Sequence, residues 1–328
     1  MRKVASIFIS TIMILAILLS SAGCGGQNTV SNSSSDKKVT VYTSFYTMYD
    51  FTKKIGGDKI NVTNLVPAGT EPHDWEPSTK DIKDLENADV LIYNGAGMEH
   101  WAEKVLNTLK NKKLVAVETT KGLQLLENEH HHDHDKEHSK DNKKDEKKEK
   151  DHEEMELDPH VWLNPLLAKK QMEKIKEALV SVDQANKDYY EKNFSDNARK
   201  LDELDKEFKD AVSKFKKKEI VVSHEAFGYL CDAYGLKQVA IEGLSAESEP
   251  SPGRMAEIVK FARENNIKVI FFEELVSPKI AQTIAKEVNA KTEVLNPLEG
   301  LDDEGVKAGK DYFSVMRENL QALKKALE

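Results

Sequence analysis

Short runs rich in β-branched residues alternate with amphipathic segments along most of the chain. In the first half, the apolar runs predict strands at Val39–Ser44, Val62–Val66, Val90–Tyr93 and Leu114–Val117. Apolar residues at steps of three and four predict helices between them, at Tyr46–Ile55, Ser78–Glu86 and Trp101–Asn107. The second half repeats the alternation, with predicted strands at Ile220–Ser223, Gln238–Glu242, Val269–Glu273 and Glu293–Leu295 and predicted helices at Ala226–Tyr234, Arg254–Asn265, Lys279–Val288 and Tyr312–Lys325. Because such alternation produces parallel sheets, the pattern predicts an α/β protein with two lobes and mainly parallel sheets.

A long amphipathic segment separates the two halves. Residues from Ala185 to Phe215 include neither Gly nor Pro, and their apolar positions mark one face of a helix. About 30 residues at 1.5 Å each span roughly 45 Å, so this helix is expected to join the lobes rigidly. A shorter helix should precede it, because Asn164 and Pro165 form an N-cap and a first-turn proline. The predicted organisation is a first α/β lobe at 38–165, a helical connection at 166–216 and a second α/β lobe at 217–328.

The N-terminus has the pattern of an export signal. A basic start precedes an apolar stretch from Ile7 to Leu19, which is too short for a comfortable membrane span. The following SAGC sequence, ending at Cys24, resembles a bacterial lipobox, in which the Cys is lipidated and becomes the new N-terminus. We therefore expect residues 1–23 to be a signal peptide, acyl chains such as palmitate on Cys24 to anchor an extracytoplasmic protein to the cell membrane, and residues 24–37 to be a tether. The alternative is an ordinary signal peptide that is cleaved nearby.

Charge and cysteine content exclude several other classes of protein. The net charge of −9 argues against nucleic-acid binding, and no basic stripe with interleaved aromatic residues occurs. The only cysteine besides Cys24 is Cys231, which lies in an apolar helical pattern and is expected to be a packed core residue. With Cys24 lipidated, no intrachain disulfide can form, so the fold must depend on its core. We expect a monomer.

One segment, residues 127–156, consists almost entirely of histidines and charged residues. It holds six of the ten histidines, seven lysines and thirteen acidic residues. Since it cannot bury apolar surface, it is expected to be a disordered loop inserted in the first lobe. Short tracts rich in His bind metal ions, so the tract is predicted to capture metal through His130, His131, His132, His134, His138 and His152.

Four irregular segments outside this tract carry the remaining candidate chemistry. Their central residues are His73, His160, His224 and Glu299, and three of the segments directly follow a predicted strand. Ligands of open α/β sheets bind at the carboxyl ends of strands. A lone His in such a place is more often a hydrogen-bonded structural residue, but three of them beside Pro, Asp or Glu favour a shared metal site. The fourth histidine outside the tract, His100, lies near a predicted helix start.

The motifs around these residues resemble a known family. PAGTEPHDWEPS, the acidic and His-rich insertion, DPHVWLNP, VVSHEAFGYL, GLSAESEPSPGRM and NPLEGL occur here in the order typical of the cluster A-I solute-binding proteins, the receptors of bacterial ABC importers for zinc and manganese. The resemblance covers nearly all of the chain from about Lys38 onward. It implies two α/β lobes joined by one long helix, with the metal in the cleft between them and an ABC transporter permease as the partner. It also implies a transport receptor and not an enzyme.

The resemblance also implies a ligand set. His73 and His160 stand at the first-lobe ligand positions, and His224 stands where zinc members have His and manganese members have a carboxylate. Glu299 stands at the fourth position, where manganese members have Asp and where water can replace the side chain in some zinc members. The pattern resembles the zinc branch, with Zn²⁺ as the transported ligand. Substitutes for the fourth ligand are Glu71, Glu273 and Glu274, of which the last two are expected to be structural.

Coordination chemistry favours zinc independently. Imidazole suits zinc, copper and nickel, whereas carboxylate and water suit manganese. Three His and one Glu complete a tetrahedral shell and leave no place for an activated water, which suits binding and not catalysis. Each ligating imidazole should donate its other N–H to a neighbouring group, for which the candidates in the sequence are Asp74, Asp158, Glu225 and Asn164. The aromatic residues expected to wall the site are Trp75, Trp162 and Phe227.

Three other functions compete with a zinc receptor. The first is a manganese receptor of the same family. The second is a secreted zinc hydrolase, suggested by His224-Glu225, but Gly228 stands where an HExxH motif needs its second His. The third is a surface adhesin or metal buffer that uses only the His-rich tract, which would leave the other three histidines unexplained.

Overall fold

The computed structural model describes residues 38–127, 157–244 and 250–328. The predicted signal peptide and tether, Cys24, and residues 128–156 of the His-rich tract lie outside the described residues. Among the residues that the structure does describe, no helix combines the length and the apolar character that a membrane crossing needs.

The first lobe is a parallel four-stranded sheet in the order β2-β1-β3-β4. Strand β3 is buried throughout as far as Ile92, and Met48, Phe51 and Ile55 of the first helix form the apolar face that packs against the sheet. The elements are β1 at Val39–Thr43, α1 at Tyr46–Gly56, β2 at Ile60–Asn64, α2 at Thr79–Leu85, β3 at Val90–Tyr93, α3 at Ala102–Thr108 and β4 at Val115–Glu118.

Two long helices follow the first lobe: α4 at Pro165–Val182 and α5 at Lys187–Val212. The predicted cap is confirmed, because the Asn164 side chain accepts hydrogen bonds from the N–H groups of Leu166 and Leu167. Helix α5 is shorter than the predicted segment, since a 3₁₀ turn precedes it at Gln184–Asn186. Its 26 residues span about 39 Å.

The second lobe repeats the topology of the first, with a parallel sheet in the order β6-β5-β7-β8. The predicted α/β fold with two parallel-sheet lobes and a long helix is therefore confirmed. Its elements are β5 at Glu219–Val222, α6 at Gly228–Tyr234, β6 at Lys237–Ala240, α7 at Pro252–Glu264, β7 at Val269–Phe272, α8 at Lys279–Val288, β8 at Lys291–Val294, α9 at Asp303–Lys307 and α10 at Tyr312–Leu327.

A single apolar core runs through both lobes. It contains Val41 and Phe51 of the first lobe, Phe208 of helix α5, and Phe227 and Tyr312 of the second lobe. Alternate residues of each sheet face smaller clusters on the outer side, as Val221 does in β5 while Ile220 and Val222 face the common core. Because close-packed apolar side chains resist rearrangement, this core joins the two lobes firmly.

Candidate metal centre

The four predicted ligands come from four separate connections. His73 lies in the loop between β2 and α2, and His160 directly precedes the 3₁₀ turn at Val161–Leu163. His224 and Glu299 lie in the connections that follow β5 and β8. All four side chains are buried, with His73 the most exposed at 9% and His160 and His224 at 0%.

Their nitrogen and oxygen atoms converge on one point. The Nε2 atom of His160 is 3.2 Å from that of His73 and 3.4 Å from that of His224. The Glu299 Oε1 atom is 3.3, 2.9 and 3.2 Å from the Nε2 atoms of His73, His160 and His224, respectively. Four ligands placed tetrahedrally at about 2.05 Å from zinc would be separated from one another by about 3.3 Å. Five of the six pairwise separations lie close to this value, and all four ligand atoms lie within 4.8 Å of one another, so the arrangement fits a small tetrahedral metal ion.

Two buried carboxylates orient the imidazoles. Asp158 Oδ1 is 2.7 Å from Nδ1 of His160, and Glu273 Oε1 is 2.7 Å from Nδ1 of His224. Each contact assigns the proton to Nδ1 and leaves Nε2 directed at the common point, which is the usual second interaction of a metal-bound histidine.

Of the sequence candidates for this role, Asp158 reaches an imidazole, whereas Asn164 caps helix α4 and Asp74 is exposed. The Glu225 backbone N–H donates to the Gly243 carbonyl. Sequence reasoning did not assign the role of Glu273. The signal that could have found it is position, because Glu273 directly follows β7, the neighbour of the strand that His224 follows.

The other expected neighbours of the site have varied contacts. Glu71 accepts a hydrogen bond from the His73 backbone N–H at 3.0 Å, and Glu274 accepts one from the Asn296 side chain at 2.8 Å. The Trp162 ring packs edge-on against His160 with 5.3 Å between ring centroids. Trp75 packs instead against the Trp101 ring, 5.7 Å away, in the outer apolar cluster of the first lobe. Phe227 is fully buried in the common core.

The charges of the site stabilise one another. Burial alone lowers the pKa of His160, but its hydrogen bonds with Asp158 and Glu299 outweigh this effect, so the pKa is raised. Burial likewise lowers and the charges of Glu273 and Glu299 raise the pKa of His224, which lies well above its ordinary value. Burial raises the pKa of Glu299, yet the charge of His224 and three imidazole hydrogen bonds hold it well below the usual range. A metal ion that binds here therefore competes with protons more strongly than it would at ordinary histidines.

Comparison with known proteins agrees with this geometry. A family model described as the periplasmic component A of zinc-uptake complexes, ZnuA, matches residues 41–326. The chain belongs to this family. The predicted resemblance is confirmed, and so is the prediction that the chain is not an enzyme, because the family consists of solute-binding components of zinc transport.

Individual relatives cover most of this chain. The high-affinity zinc uptake system protein ZnuA of Bacillus subtilis is 45% identical over 317 residues, which are 96% of this chain and 96% of that protein. The zinc-binding lipoprotein AdcA of Streptococcus pneumoniae strain R6 is 42% identical over 297 residues, 89% of this chain, but the match spans only 56% of AdcA. The crystal structure of the Zn(II)-bound ZnuA-like domain of the S. pneumoniae protein has a TM-score of 0.73 at 41% identity and covers 88% of this chain and 99% of that domain.

The ends of the His-rich tract lie beside the site. Glu127 and Leu157 form an isolated antiparallel bridge. The Asp158 backbone N–H donates to the Leu126 carbonyl at 3.0 Å, while the Asp158 side chain contacts the His160 ring. The tract thus ends two residues before Asp158, whose side chain contacts the proposed ligand His160.

Proposed function

We propose that this chain is an extracytoplasmic receptor that binds Zn²⁺ as its transported ligand and delivers it to an ABC transporter permease. The proposed ligands are His73, His160, His224 and Glu299. The observation that carries this proposal is the convergence of three imidazole nitrogens and one carboxylate oxygen within 4.8 Å of one another, with His160 and Glu299 at 2.9 to 3.4 Å from the other ligands. The names of the B. subtilis and S. pneumoniae relatives support zinc as the ligand and an uptake system as the setting.

The donor set argues against the other functions. Manganese prefers oxygen ligands and octahedral geometry, and this site offers one carboxylate among three imidazoles. A hydrolase needs an open coordination position for water, whereas the four proposed ligands, all buried, would complete a tetrahedral shell. A receptor that binds and releases an intact ion needs no such position.

Three further parts of the proposal concern the rest of the chain. We propose that the mature protein is a monomer anchored through acyl chains on Cys24, which the lipoprotein name of a relative supports. We propose that the tract histidines capture zinc loosely close to the site, which the Glu127–Leu157 bridge supports. We also propose the division into lobes at 38–165 and 217–328 with a helical connection at 166–216.

Single alanine substitutions test the ligand assignment. Zinc affinity of the purified mature protein would be measured by competition with a chelator of known affinity, using a variant without residues 130–152 so that the tract does not contribute. His73→Ala, His160→Ala and His224→Ala are each expected to weaken binding strongly, and Glu299→Ala less so if water can replace the carboxylate. The matched control is His100→Ala, because His100 is exposed and lies outside the cluster. An affinity of the His224→Ala protein equal to that of the control would refute the assignment.

A further inference from the structure

The loop that carries Glu299 holds a non-glycine residue in an unfavourable backbone conformation. Leu298, directly before Glu299, has φ +63°, in the left-handed region. This conformation costs a residue with a β-carbon about 1–2 kcal/mol, and it persists only where the surroundings impose it. The Leu298 side chain is completely buried, so the loop cannot relax by moving this residue into solvent.

The second lobe supplies part of the restraint. The Asn296 side chain accepts a hydrogen bond from the Leu298 N–H at 2.7 Å. Asn319 of helix α10 in turn holds Asn296, since its side chain accepts from the Asn296 N–H at 2.8 Å and donates to the Asn296 carbonyl at 2.7 Å. These bonds fix the start of the loop but leave the carbonyl groups of Pro297 and Leu298 to other partners.

The first lobe supplies those partners. The Thr47 hydroxyl, on helix α1, donates to the Leu298 carbonyl at 2.5 Å, and the Trp162 indole N–H donates to the Pro297 carbonyl at 2.7 Å. Both donors are completely buried. The peptide that joins Leu298 to Glu299 is therefore held from the opposite lobe, and Thr47 contacts the carbonyl group of that peptide.

We propose that Thr47 is a positioning residue that keeps Glu299 a single-oxygen ligand and thereby favours zinc over manganese. This inference rests on the proposed zinc-receptor function. One oxygen of Glu299, Oε1, faces all three imidazole nitrogens. A carboxylate fixed in this orientation completes a shell of four, which zinc prefers, whereas manganese prefers additional oxygen ligands.

Loss of the hydroxyl would change this balance. Without Thr47 Oγ1, the buried Leu298 carbonyl loses its hydrogen-bond donor from the opposite lobe. Rotation of the strained peptide then becomes more favourable, because it relieves the backbone strain and lets the carbonyl find another partner. Rotation would turn Glu299 and allow both of its oxygens to reach the ion. Zinc should then bind less tightly, while manganese should lose less affinity or gain some.

The test uses three threonine variants of the full mature protein. Thr47→Val removes the hydroxyl with little change of shape, and Thr47→Ser keeps it. Thr52→Val is the matched control, because Thr52 is a fully buried residue of the same helix whose hydroxyl has no hydrogen-bond partner among the described residues. The measurements are zinc and manganese affinities, the visible absorption of the Co²⁺-loaded protein, which reports coordination number, and thermal stability of the metal-free protein.

In the Thr47→Val protein, the ratio of zinc to manganese affinity should fall by up to about tenfold, because the cost of the unsatisfied carbonyl remains in the four-coordinate zinc form and is relieved in the rotated form that manganese favours. Its Co²⁺ absorption should weaken as the ion leaves four-coordination, while Thr47→Ser and Thr52→Val should keep the wild-type ratio and spectrum. A Thr47→Val protein with unchanged ratio and spectrum would overturn the proposal, even if its metal-free form were less stable, because the hydroxyl would then serve folding alone. If this variant fails to fold, Thr47→Ala provides the same comparison. A wild-type protein that binds no zinc would instead refute the proposed function.

Discussion

The carboxylate of Glu273 should contribute measurably to zinc affinity although it is not itself placed to bind the ion. Glu273 Oε1 is 2.7 Å from Nδ1 of the fully buried His224 and 3.3 Å from its backbone N–H. In Glu273→Gln, a charge-assisted hydrogen bond of about 1.5–3 kcal/mol becomes a neutral one of about 0.5–1.5 kcal/mol. The difference of about 1–1.5 kcal/mol corresponds to an affinity loss of about tenfold, the lower end of the range for outer partners of metal ligands.

Competition with a chelator of known zinc affinity would measure this loss. Asp158→Asn changes the equivalent partner of His160 and should give a loss of similar size, since its contact has the same length of 2.7 Å. Glu287→Gln is the control, because Glu287 is an exposed glutamate whose ion pair with Arg263 lies on the surface. If the Glu273→Gln and Glu287→Gln proteins had the same affinity, the orienting role of the buried carboxylate would be wrong.

Four further outcomes are expected. Because the pKa values of His160 and His224 are raised in the metal-free protein, zinc affinity should begin to fall above the ordinary histidine pKa of about 6.5 as pH is lowered, a higher window than free imidazoles would give. The same raised pKa values stabilise the metal-free fold below about pH 6.5, and this stabilisation is lost as pH rises through the raised pKa values. The zinc-induced increase in melting temperature should therefore grow with pH. An increase that did not change with pH would contradict the raised pKa values of both histidines. Deletion of residues 130–152 should leave the equilibrium zinc affinity of the proposed site unchanged. It should slow zinc binding at low salt, as measured by stopped-flow, and slow zinc accumulation by cells when zinc is scarce. Cys24→Ala should move the protein from the membrane fraction to the soluble fraction, and labelled fatty acid still incorporated in that variant would place the anchor elsewhere.

Local patterns predicted the secondary structure and the histidines of the site. These features could be predicted because the hydrophobic period and the ends of strands depend on short stretches of sequence. Some predicted boundaries differ from the observed ones because hydrogen bonds continue beyond the end of the regular strand. Strand β2 ends at Asn64, yet the N–H groups of Leu65 and Val66 still donate to carbonyls at the end of β1. Helix α9 at Asp303–Lys307 was not predicted, since five residues are too few to display a helical period.

Contacts between distant residues account for what sequence reasoning did not find. Glu273 is 49 residues from His224, and Thr47 is 251 residues from Leu298. Their roles depend on which strands are neighbours and on how the two lobes meet. A buried threonine on an amphipathic helix also has the same local sequence pattern whether its hydroxyl holds a loop, as in Thr47, or has no hydrogen-bond partner in the described part of the chain, as in Thr52.

Because Glu127 and Leu157 form a bridge, the free energy of folding should depend little on the length of the His-rich tract between them. With the two ends already joined, the closure entropy of the intervening chain grows only with the logarithm of its length, so doubling the tract would cost about 0.6 kcal/mol. Histidines can therefore be gained or lost there, over many generations or by design, without a penalty large enough to threaten folding. The same junction is a suitable place to insert a fluorescent or affinity module whose signal would report on an ion bound by His160, three residues beyond Leu157.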